Sequence, residues 1–483
     1  MERLHKIGRV HPRPSAEIRH SRIGLGFEKL DRNVFDPARA YAFVAQTGVK
    51  WARLQSGWQR TEQKKGVYDF AWLDDVVDHL LAIGVEPWLC LCYGNELYTP
   101  AAKEHFGAVG CPPIHTPEER QAWHNYVRAT TEHFAGRIRY YEVWNEPDGE
   151  WCWKHGPDAE ELAAFTMATA EACRRGDPDC KVLGFAACRF NRFGFMDRLC
   201  ATGVCRHLDG ITYHSYKITD EENEASFRFY DEVRKKYNPD LLVFQGESGT
   251  QSRSDGNGAL RKACWTPLKQ AKYLLRHLIV DLGSGADMAS YFSCMDMIEA
   301  LHGTTGDVSS YLDYGYFGVL GADFDEHGFA TGAYTPKPAF YALQNLCSVL
   351  CEEYEPVTPP VEGVVEYSQR VWADDYDFDR ARSYCFQKPN GSVGLFYWNG
   401  ESNILTQTYE GTVSLRVPKR LVHEKPPRLT DLLTGDVYEL PESMIVDKKN
   451  FYRLAHLPIT DAPLLLTFGD FMQMDPDEPS ERR

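Results

Sequence analysis

Eight short apolar runs, each followed by a helix-like stretch, fill the first 350 residues of this 483-residue chain. The runs have the length and composition of buried strands, and the stretches between them repeat apolar residues at helical spacing, as in Leu73, Val77 and Leu80. This alternation predicts an α/β fold, and eight units over roughly 330 residues predict a (β/α)8 TIM barrel. The runs are Ile23–Phe27, Trp51–Leu54, Pro87–Cys92, Ile138–Trp144, Val182–Ala186, Gly210–His214, Leu241–Phe244 and Met288–Cys294.

Beyond residue 350 the helical spacing gives way to short alternating segments such as Val393–Trp398 and Val413–Val417. Turn residues such as Asn399-Gly400 separate them, which predicts a C-terminal antiparallel β-sandwich. We therefore expect a barrel over residues 1–350, an accessory β-sandwich over 351–473 and a flexible tail over 474–483. Within the first unit, residues 1–20 form an N-terminal extension that could pack on the β-domain.

Two glutamates follow apolar runs that lie about a hundred residues apart in the sequence. Glu146 ends Tyr140–Val143 through Trp-Asn-Glu-Pro, and Glu247 ends Leu241–Phe244 in a glycine-bounded loop. The proline cannot donate a hydrogen bond to a neighbouring strand, so Glu146 is expected at the mouth of the sheet. In a TIM barrel the carboxyl ends of all strands meet at one face, where catalytic residues lie. The two carboxylates therefore predict one active site.

Charge and hydropathy patterning exclude several classes of partner. The formal net charge is −16, and no run of Lys or Arg could track phosphates, so we expect no nucleic-acid partner. No stretch approaches the roughly 20 apolar residues that span a bilayer, and Met1–Pro14 has no apolar leader segment. We expect no membrane partner.

Cysteine usage indicates the compartment and the metal content. The chain has 14 cysteines, several of them inside apolar segments as buried free thiols are. This pattern favours a cytoplasmic location. No pair has the CxxC spacing of a structural zinc site, so we expect no metal.

The strand-end motifs resemble the retaining glycoside hydrolases of clan A, and within that clan family 39, which includes β-xylosidases and α-L-iduronidases. The likeness covers most of the chain. It rests on the following features: Trp144–Pro147, the later Glu247, His214–Tyr216, Ser290–Phe292 leading to Asp296, the helix start Pro336–Leu343 and the C-terminal β-domain.

The resemblance implies that Glu146 is the acid/base and Glu247 the nucleophile of a hydrolase. One carboxyl protonates the departing glycosidic oxygen, while the other attacks the anomeric carbon and holds the sugar until water releases it. The resemblance implies no cofactor. In a retaining enzyme the two carboxyl groups lie about 5–5.5 Å apart.

Strand position and the same likeness assign neighbouring residues as substrate-binding or supporting groups. Asn145 would bond the sugar 2-hydroxyl, and Arg53 would keep Glu247 anionic. His214 and Tyr216 share a strand face and would border the site, although His214 could be a core histidine and Arg53 could only hold the barrel together. Glu28, at the end of the first strand, would bind sugar hydroxyls or face water, and Phe292 would line the sugar site. Glu142 points into the barrel and needs a partner there.

Two departures from the family pattern leave the sugar open. Phe292 stands where the family usually has tryptophan, and the nucleophile context is Gln245–Ser248. We expect a retaining exo-β-glycosidase acting on β-linked oligosaccharides or glycosides, with β-xylosidase the first choice and β-glucosidase or β-galactosidase the alternatives. Two alternatives belong to other functional classes, namely a non-catalytic carbohydrate-binding barrel and a metal-dependent barrel hydrolase. Assembly into a homo-oligomer is left open.

Overall fold

Eight parallel strands close into a barrel in chain order, which confirms the predicted fold. The computed structural model describes residues 1, 4–190, 192–366, 381–400, 404–408, 410–422 and 425–477. The barrel strands, numbered 1 to 8 below, are Ile23–Gly26, Trp51–Gln55, Glu86–Leu91, Tyr140–Val143, Lys181–Ala187, Gly210–His214, Leu242–Ser248 and Met288–Tyr291.

Helices surround the barrel and begin at capping residues. Thr116 and Thr219 each cap a helix through a reciprocal capping box, with Glu119 and Glu222 respectively. The Asp158 side chain accepts a hydrogen bond from Glu161 N and caps the helix that begins at Ala159. The α-helices of this region are Tyr41–Thr47, Trp58–Thr61, Ala71–Ala82, Pro117–His133, Ala159–Gly176, Phe195–Ala201, Asp220–Tyr237, Pro267–Ser284 and Pro338–Val349.

The barrel interior changes from apolar to charged along the strands. Trp88, Tyr140 and Phe244 belong to one buried apolar cluster. Successive residues of a strand face opposite sides, so Glu142 lies on the same face as Tyr140. Glu142 is fully buried and pairs with Arg53, which confirms that it needed a partner inside the barrel. The charged layer supports the carboxyl ends of the strands, where the candidate site lies.

The C-terminal region contains two antiparallel sheets, as predicted. Strand residues Leu395 and Leu466 of the larger sheet and Val413 and Leu454 of the smaller one belong to the same buried core. The larger sheet has the order Glu355–Val357, Ala381–Gln387, Val393–Asn399, Leu464–Phe468, Arg428–Asp431, Asp436–Glu439, His5–Val10 and Met474–Pro476. The smaller has the order Glu362–Glu366, Gly411–Pro418, Phe451–Ile459 and Ile445–Asp447, and a short helix spans Lys419–Val422.

Both ends of the chain enter the larger sheet. His5–Val10 pairs antiparallel with Asp436–Glu439 on one side and with Met474–Pro476 on the other. Met474–Pro476 had been placed in the flexible tail, whereas its backbone pairing makes it an edge strand. Residues 478–483 of that tail lie outside the described residues.

All the cysteines are free thiols, and all but Cys188 and Cys264 are buried.

Across the described ranges, none of the helices combines the length and the apolar character needed to cross a bilayer.

Candidate active site

A sharp turn at the end of strand 4 presents Glu146. Trp144 and Glu146 have φ values of 64° and 44°, in the left-handed region that residues other than glycine rarely adopt. The amide of Glu146 donates to the carbonyl of Ala186 on strand 5, which fixes the turn to the neighbouring strand. Such backbone strain is common at functional sites, where the surrounding structure compensates for it.

An irregularity in strand 7 presents Glu247. The register of this strand shifts between Gln245 and Ser248 against strand 8, and the pairing of strand 6 with it also shifts before His214. A bulge of this kind redirects a side chain relative to the regular alternation of the strand. Glu247 is 7% exposed, and its carboxylate lines the same cavity as Glu146.

The two carboxylates meet at His214. His214 Nδ1 lies 2.8 Å from Glu146 Oε1 and 3.5 Å from Glu247 Oε2. One oxygen of each carboxylate and one ring nitrogen lie within 4.8 Å of one another. This separation suits the two carboxyls of a retaining glycosidase, about 5–5.5 Å apart, because an inverting enzyme needs about 6.5–9.5 Å to admit water between them.

Positive charge and hydrogen bonding keep Glu247 ionised. Arg53 Nη1 donates to its Oε1 at 2.5 Å, and the Tyr216 hydroxyl donates to its Oε2 at 2.8 Å. Burial alone would raise the pKa of Glu247, but His214, Arg53 and the Tyr216 hydroxyl together lower it below the usual value. An ionised carboxylate is the form that acts as a nucleophile.

Arg53 joins Glu247 to the charged layer below it. The guanidinium contacts Glu142 at 2.6 Å, Asn145 Oδ1 at 2.9 Å and Glu28 at 3.4 Å. All of these groups are buried. The planar fork of arginine can satisfy several acceptors in fixed directions, so one side chain orients both Glu247 and Asn145.

Glu28 lies on the same side of the site and is buried beside Glu247 and Arg53. It is 1% exposed, and its Oε2 has no hydrogen-bond partner among the described residues. Burial and the nearby negative charge of Glu247 raise the pKa of Glu28 to about 8. The alternative that Glu28 simply faces water is wrong, because its side chain is buried and lines the cavity.

Glu146 has different neighbours. One oxygen contacts His214, and the other accepts a hydrogen bond from the indole nitrogen of Trp151. The Arg189 guanidinium stacks on the Trp151 ring, with its central carbon 4.6 Å from the centre of the ring. Among the described residues, Glu146 has no arginine partner of the kind that Glu247 has.

Loops at the carboxyl ends of the strands enclose a cavity of about 420 Å³ above the two glutamates. The long segment after strand 8 contributes Glu299 and Phe317 to its wall. This segment folds into two short antiparallel pairs, Met297–Ile298 with Tyr314–Gly315 and Leu320–Phe324 with Ala330–Pro336. This segment of the chain thus forms part of the cavity wall.

The structure brings together every residue that the sequence analysis assigned to the site. Arg53, His214 and Tyr216 contact Glu146 or Glu247 directly, and Asn145 and Glu28 contact Arg53. Phe292 lines the cavity and packs edge-on against Phe317. The sequence analysis missed several further wall residues, namely Lys29, Arg32, Gln55, Arg189, Arg261 and Glu299.

Some of these misses carried a usable signal. Gln55 lies two residues after Arg53 on strand 2, so strand parity could have placed it at the site. The same parity would have put Lys29 and its neighbour Glu28 on opposite faces, so Lys29 carried no such signal. Trp151 lies in the loop after strand 4. Its bond to Glu146 depends on how the loop folds back, which has no signature in the sequence.

The described residues contain one group that could hold a metal ion, formed by Glu146, His214 and Glu247. Its atoms are already bonded to one another and to Arg53 and Tyr216. A bound cation would have to face the Arg53 guanidinium, so the charge pattern here fits a carboxylate pair better than a metal site.

Comparison with known proteins agrees with the fold and the motifs. Residues 48–244 match the family model described as glycosyl hydrolases family 39. A β-xylosidase of Geobacillus stearothermophilus is 23% identical over 302 residues, a region that covers 58% of this chain and 56% of that protein. The match thus spans little more than half of the relative's length.

Two solved structures share the architecture. A family 39 glycoside hydrolase from the gut symbiont Bacteroides cellulosilyticus WH2 superposes with a TM-score of 0.63 at 16% identity, over 95% of this chain and 81% of that one. A monomeric β-xylosidase from Caulobacter crescentus CB15 superposes with a TM-score of 0.59 at 17% identity, over 95% of this chain and 97% of that one. Sequence, fold and motifs together make this chain a protein similar to the glycosyl hydrolases of family 39.

Proposed function

We propose that the protein is a retaining exo-β-glycosidase that cleaves β-linked oligosaccharides or glycosides, with β-xylosides as the first candidate substrates. The observation that carries this proposal is the pair Glu146 and Glu247. One carboxylate oxygen of each lies within 4.8 Å of the other, and the two carboxylates have different hydrogen-bonding and charged neighbours. Glu247 has arginine, tyrosine and histidine partners that favour its anion. Within the part of the chain that the structure describes, Glu146 pairs with no arginine, and its carboxylate accepts a hydrogen bond from Trp151.

The unlike neighbours assign the two steps of a double displacement. Glu247 attacks the anomeric carbon while Glu146 gives its proton to the departing oxygen, which produces a glycosyl-enzyme ester. Glu146 then takes a proton from water, and the resulting hydroxide equivalent breaks the ester and frees Glu247. Asn145, oriented by Arg53, can bond the sugar 2-hydroxyl, a contact that strengthens in the transition state.

The shape of the site supports cleavage at a chain end. The cavity is walled by the segment after strand 8 and holds about 420 Å³, enough for a few sugar rings. The named β-xylosidase relative supports xylose as the first candidate for the glycone. Phe292 leaves the glycone open, because it replaces a larger aromatic ring at the wall of the sugar site. The buried free thiols support a reducing, cytoplasmic location.

A panel of nitrophenyl β-glycosides covering xylose, glucose, galactose, arabinose, fucose and glucuronate tests the proposal. Wild type is compared with Glu146→Gln and Glu247→Gln, and with Glu150→Gln as a matched control on an exposed loop residue. We expect one glycone to be hydrolysed, and each site variant to lose at least about a thousandfold in kcat while the control stays active. The proposed function would be refuted if neither the panel nor added xylo-oligosaccharides were hydrolysed, or if Glu247→Gln hydrolysed a substrate as well as wild type does.

A further inference from the structure

The cavity wall carries two arginines from separate loops, although the protein as a whole has a net charge of −16. Arg189 lies on the loop after strand 5, and Arg261 lies on the loop after strand 7. Both line the cavity together with His302. Basic side chains from two separate loops therefore converge on one opening.

Neither guanidinium pairs with a carboxylate within the described ranges, although the Asp148 carboxylate accepts a hydrogen bond from the backbone amide of Arg189 at 2.7 Å. Arg189 stacks on Trp151, and Arg261 donates only to the carbonyl of Gly258 at 3.1 Å. Arg53, in contrast, has three carboxylate partners. A cation without a counterion at a cavity wall can bind an anionic ligand without first breaking an internal ion pair.

Lys154 and Arg261 are both close enough to His302 to act on its pKa, although burial is the largest cause of its lowering. Burial first, and then the charges of Lys154 and Arg261, lower the pKa of His302. Asp313 acts in the opposite direction and is outweighed. Glu299, the other acid on this wall, is engaged by Lys29 at 3.7 Å.

The position of Arg189 fixes which part of a substrate it would meet. Trp151 bonds Glu146, and Arg189 stacks on Trp151. The acid/base touches the glycosidic oxygen, so groups beyond it lie against the leaving group and not against the glycone. The glycone would contact the opposite side, where Arg53, Glu28 and Tyr216 lie.

We propose that Arg189 and Arg261 form an oxyanion-binding subsite for the leaving group, so that the enzyme favours glycosides whose aglycone carries a carboxylate or a sulfate ester. A uronic acid on the reducing-end side of an oligosaccharide is the carbohydrate form of the carboxylate. The planar guanidinium groups match such oxyanions through paired hydrogen bonds. This inference rests on the proposed glycosidase function and names the substrate class of the same site.

The test compares leaving groups on the glycone found active in the panel. The three aglycones are 4-carboxyphenyl, 4-sulfophenyl and the neutral 4-carbamoylphenyl, and the measured quantity is the ratio of kcat/KM for each anion to that for the amide. Wild type, Arg189→Gln and Arg261→Gln are assayed beside Arg228→Gln, which removes the same charge from the exposed face of helix Asp220–Tyr237. Differences in leaving-group chemistry cancel because each ratio is compared between variants.

We expect the anion-to-amide ratio to fall about tenfold in either site variant relative to wild type, as for loss of a charge-assisted hydrogen bond, and to stay unchanged in Arg228→Gln. Added salt should reduce the wild-type ratio, because the interaction is partly screened. A fall for one anion alone distinguishes carboxylate from sulfate. Equal ratios in wild type and both site variants would overturn the subsite while leaving the glycosidase function intact.

The inference can also be tested if no glycone in the panel is hydrolysed, an outcome that would refute the proposed function. Calorimetric titration of wild type with a xylo-oligosaccharide carrying a uronic acid, and with the same oligosaccharide lacking it, measures the subsite directly. We expect tighter binding of the acidic ligand and about a tenfold loss of that preference in Arg189→Gln. Equal affinity for the two ligands, or binding of neither, would overturn the inference.

Discussion

Arg53 Nη1 lies 2.5 Å from Glu247 Oε1, and the same guanidinium holds Glu142 at 2.6 Å on the opposite side. One buried cation is therefore shared by the proposed nucleophile and by the carboxylate below it. Without this cation Glu142 would lose its ion-pair partner, and Glu247 would lose one of the positive charges that favour its anion. The catalytic site and the stability of the barrel thus depend on the same side chain.

Replacing Arg53 should damage folding as well as activity. We expect Arg53→Met to lower the free energy of unfolding by about 3–5 kcal/mol, as for other buried ion pairs that lose one partner. The double variant Arg53→Met/Glu142→Gln should recover part of that loss, since it removes one of the orphaned charges. Urea unfolding measures the free energy of unfolding of both variants. If Arg53→Met were as stable as wild type, the buried network would not be needed for folding.

The Tyr216 hydroxyl stabilises the anion of Glu247, so removing it should change the pH dependence. In Tyr216→Phe the pKa of Glu247 rises, because one of the bonds that lower it is lost. Glu247 must be ionised to react, so activity disappears as pH falls through that pKa. We therefore expect the acidic limb of the kcat/KM profile to move to higher pH, with a fall of about 10- to 100-fold at the optimum. An acidic limb in the wild-type position would contradict this role.

Glu28 should couple stability to pH in the direction opposite to an ordinary salt-bridged carboxylate. Its pKa is raised from 4.5 to about 8, so the folded state keeps a proton that the unfolded state loses in this window. The stabilising contribution of Glu28 is complete below pH 4.5 and disappears as pH rises towards 8. Glu28→Gln mimics the protonated form and should make the melting temperature fall less between those pH values. An identical pH dependence in the variant would show that Glu28 does not hold the proton.

Trp151 should matter most when the leaving group is poor. Its indole bonds Glu146, so Trp151→Phe is expected to leave the acid misoriented while the nucleophile stays in place. We expect hydrolysis of an alkyl glycoside to fall at least about tenfold more than that of a dinitrophenyl glycoside, which needs no protonation. Equal losses with both substrates would mean that Trp151 acts in binding and not through Glu146.

The sequence alone was sufficient to predict the barrel and the two glutamates, because both depend on local patterns. Strand length, helical spacing and the Trp-Asn-Glu-Pro turn are read within a few residues. Arg53 could be placed because strand parity in a closed barrel sends Trp51, Arg53 and Gln55 to one face. Pairing with Glu247, 194 positions away, follows once the barrel is closed.

The loops could not be predicted in the same way. Arg189, Arg261 and Glu299 reach the cavity through long connections whose paths depend on tertiary contacts. The burial of Glu28 likewise depends on the segment after strand 8 covering the first strand end. Met474–Pro476 reads as a polar tail, and it becomes a strand only because His5–Val10 offers it a partner from the other end of the chain.

The central claim is that Glu146 and Glu247 act on opposite faces of the sugar in a double displacement. Azide rescue of the alanine variants, with the glycosyl azide products identified by nuclear magnetic resonance, tests it most directly. We expect Glu146→Ala to give the β-azide, because azide attacks the glycosyl-enzyme from the face vacated by the leaving group. Glu247→Ala should give the α-azide by a single displacement. The same anomer from both variants, or the reverse assignment, would contradict the roles given to the two glutamates.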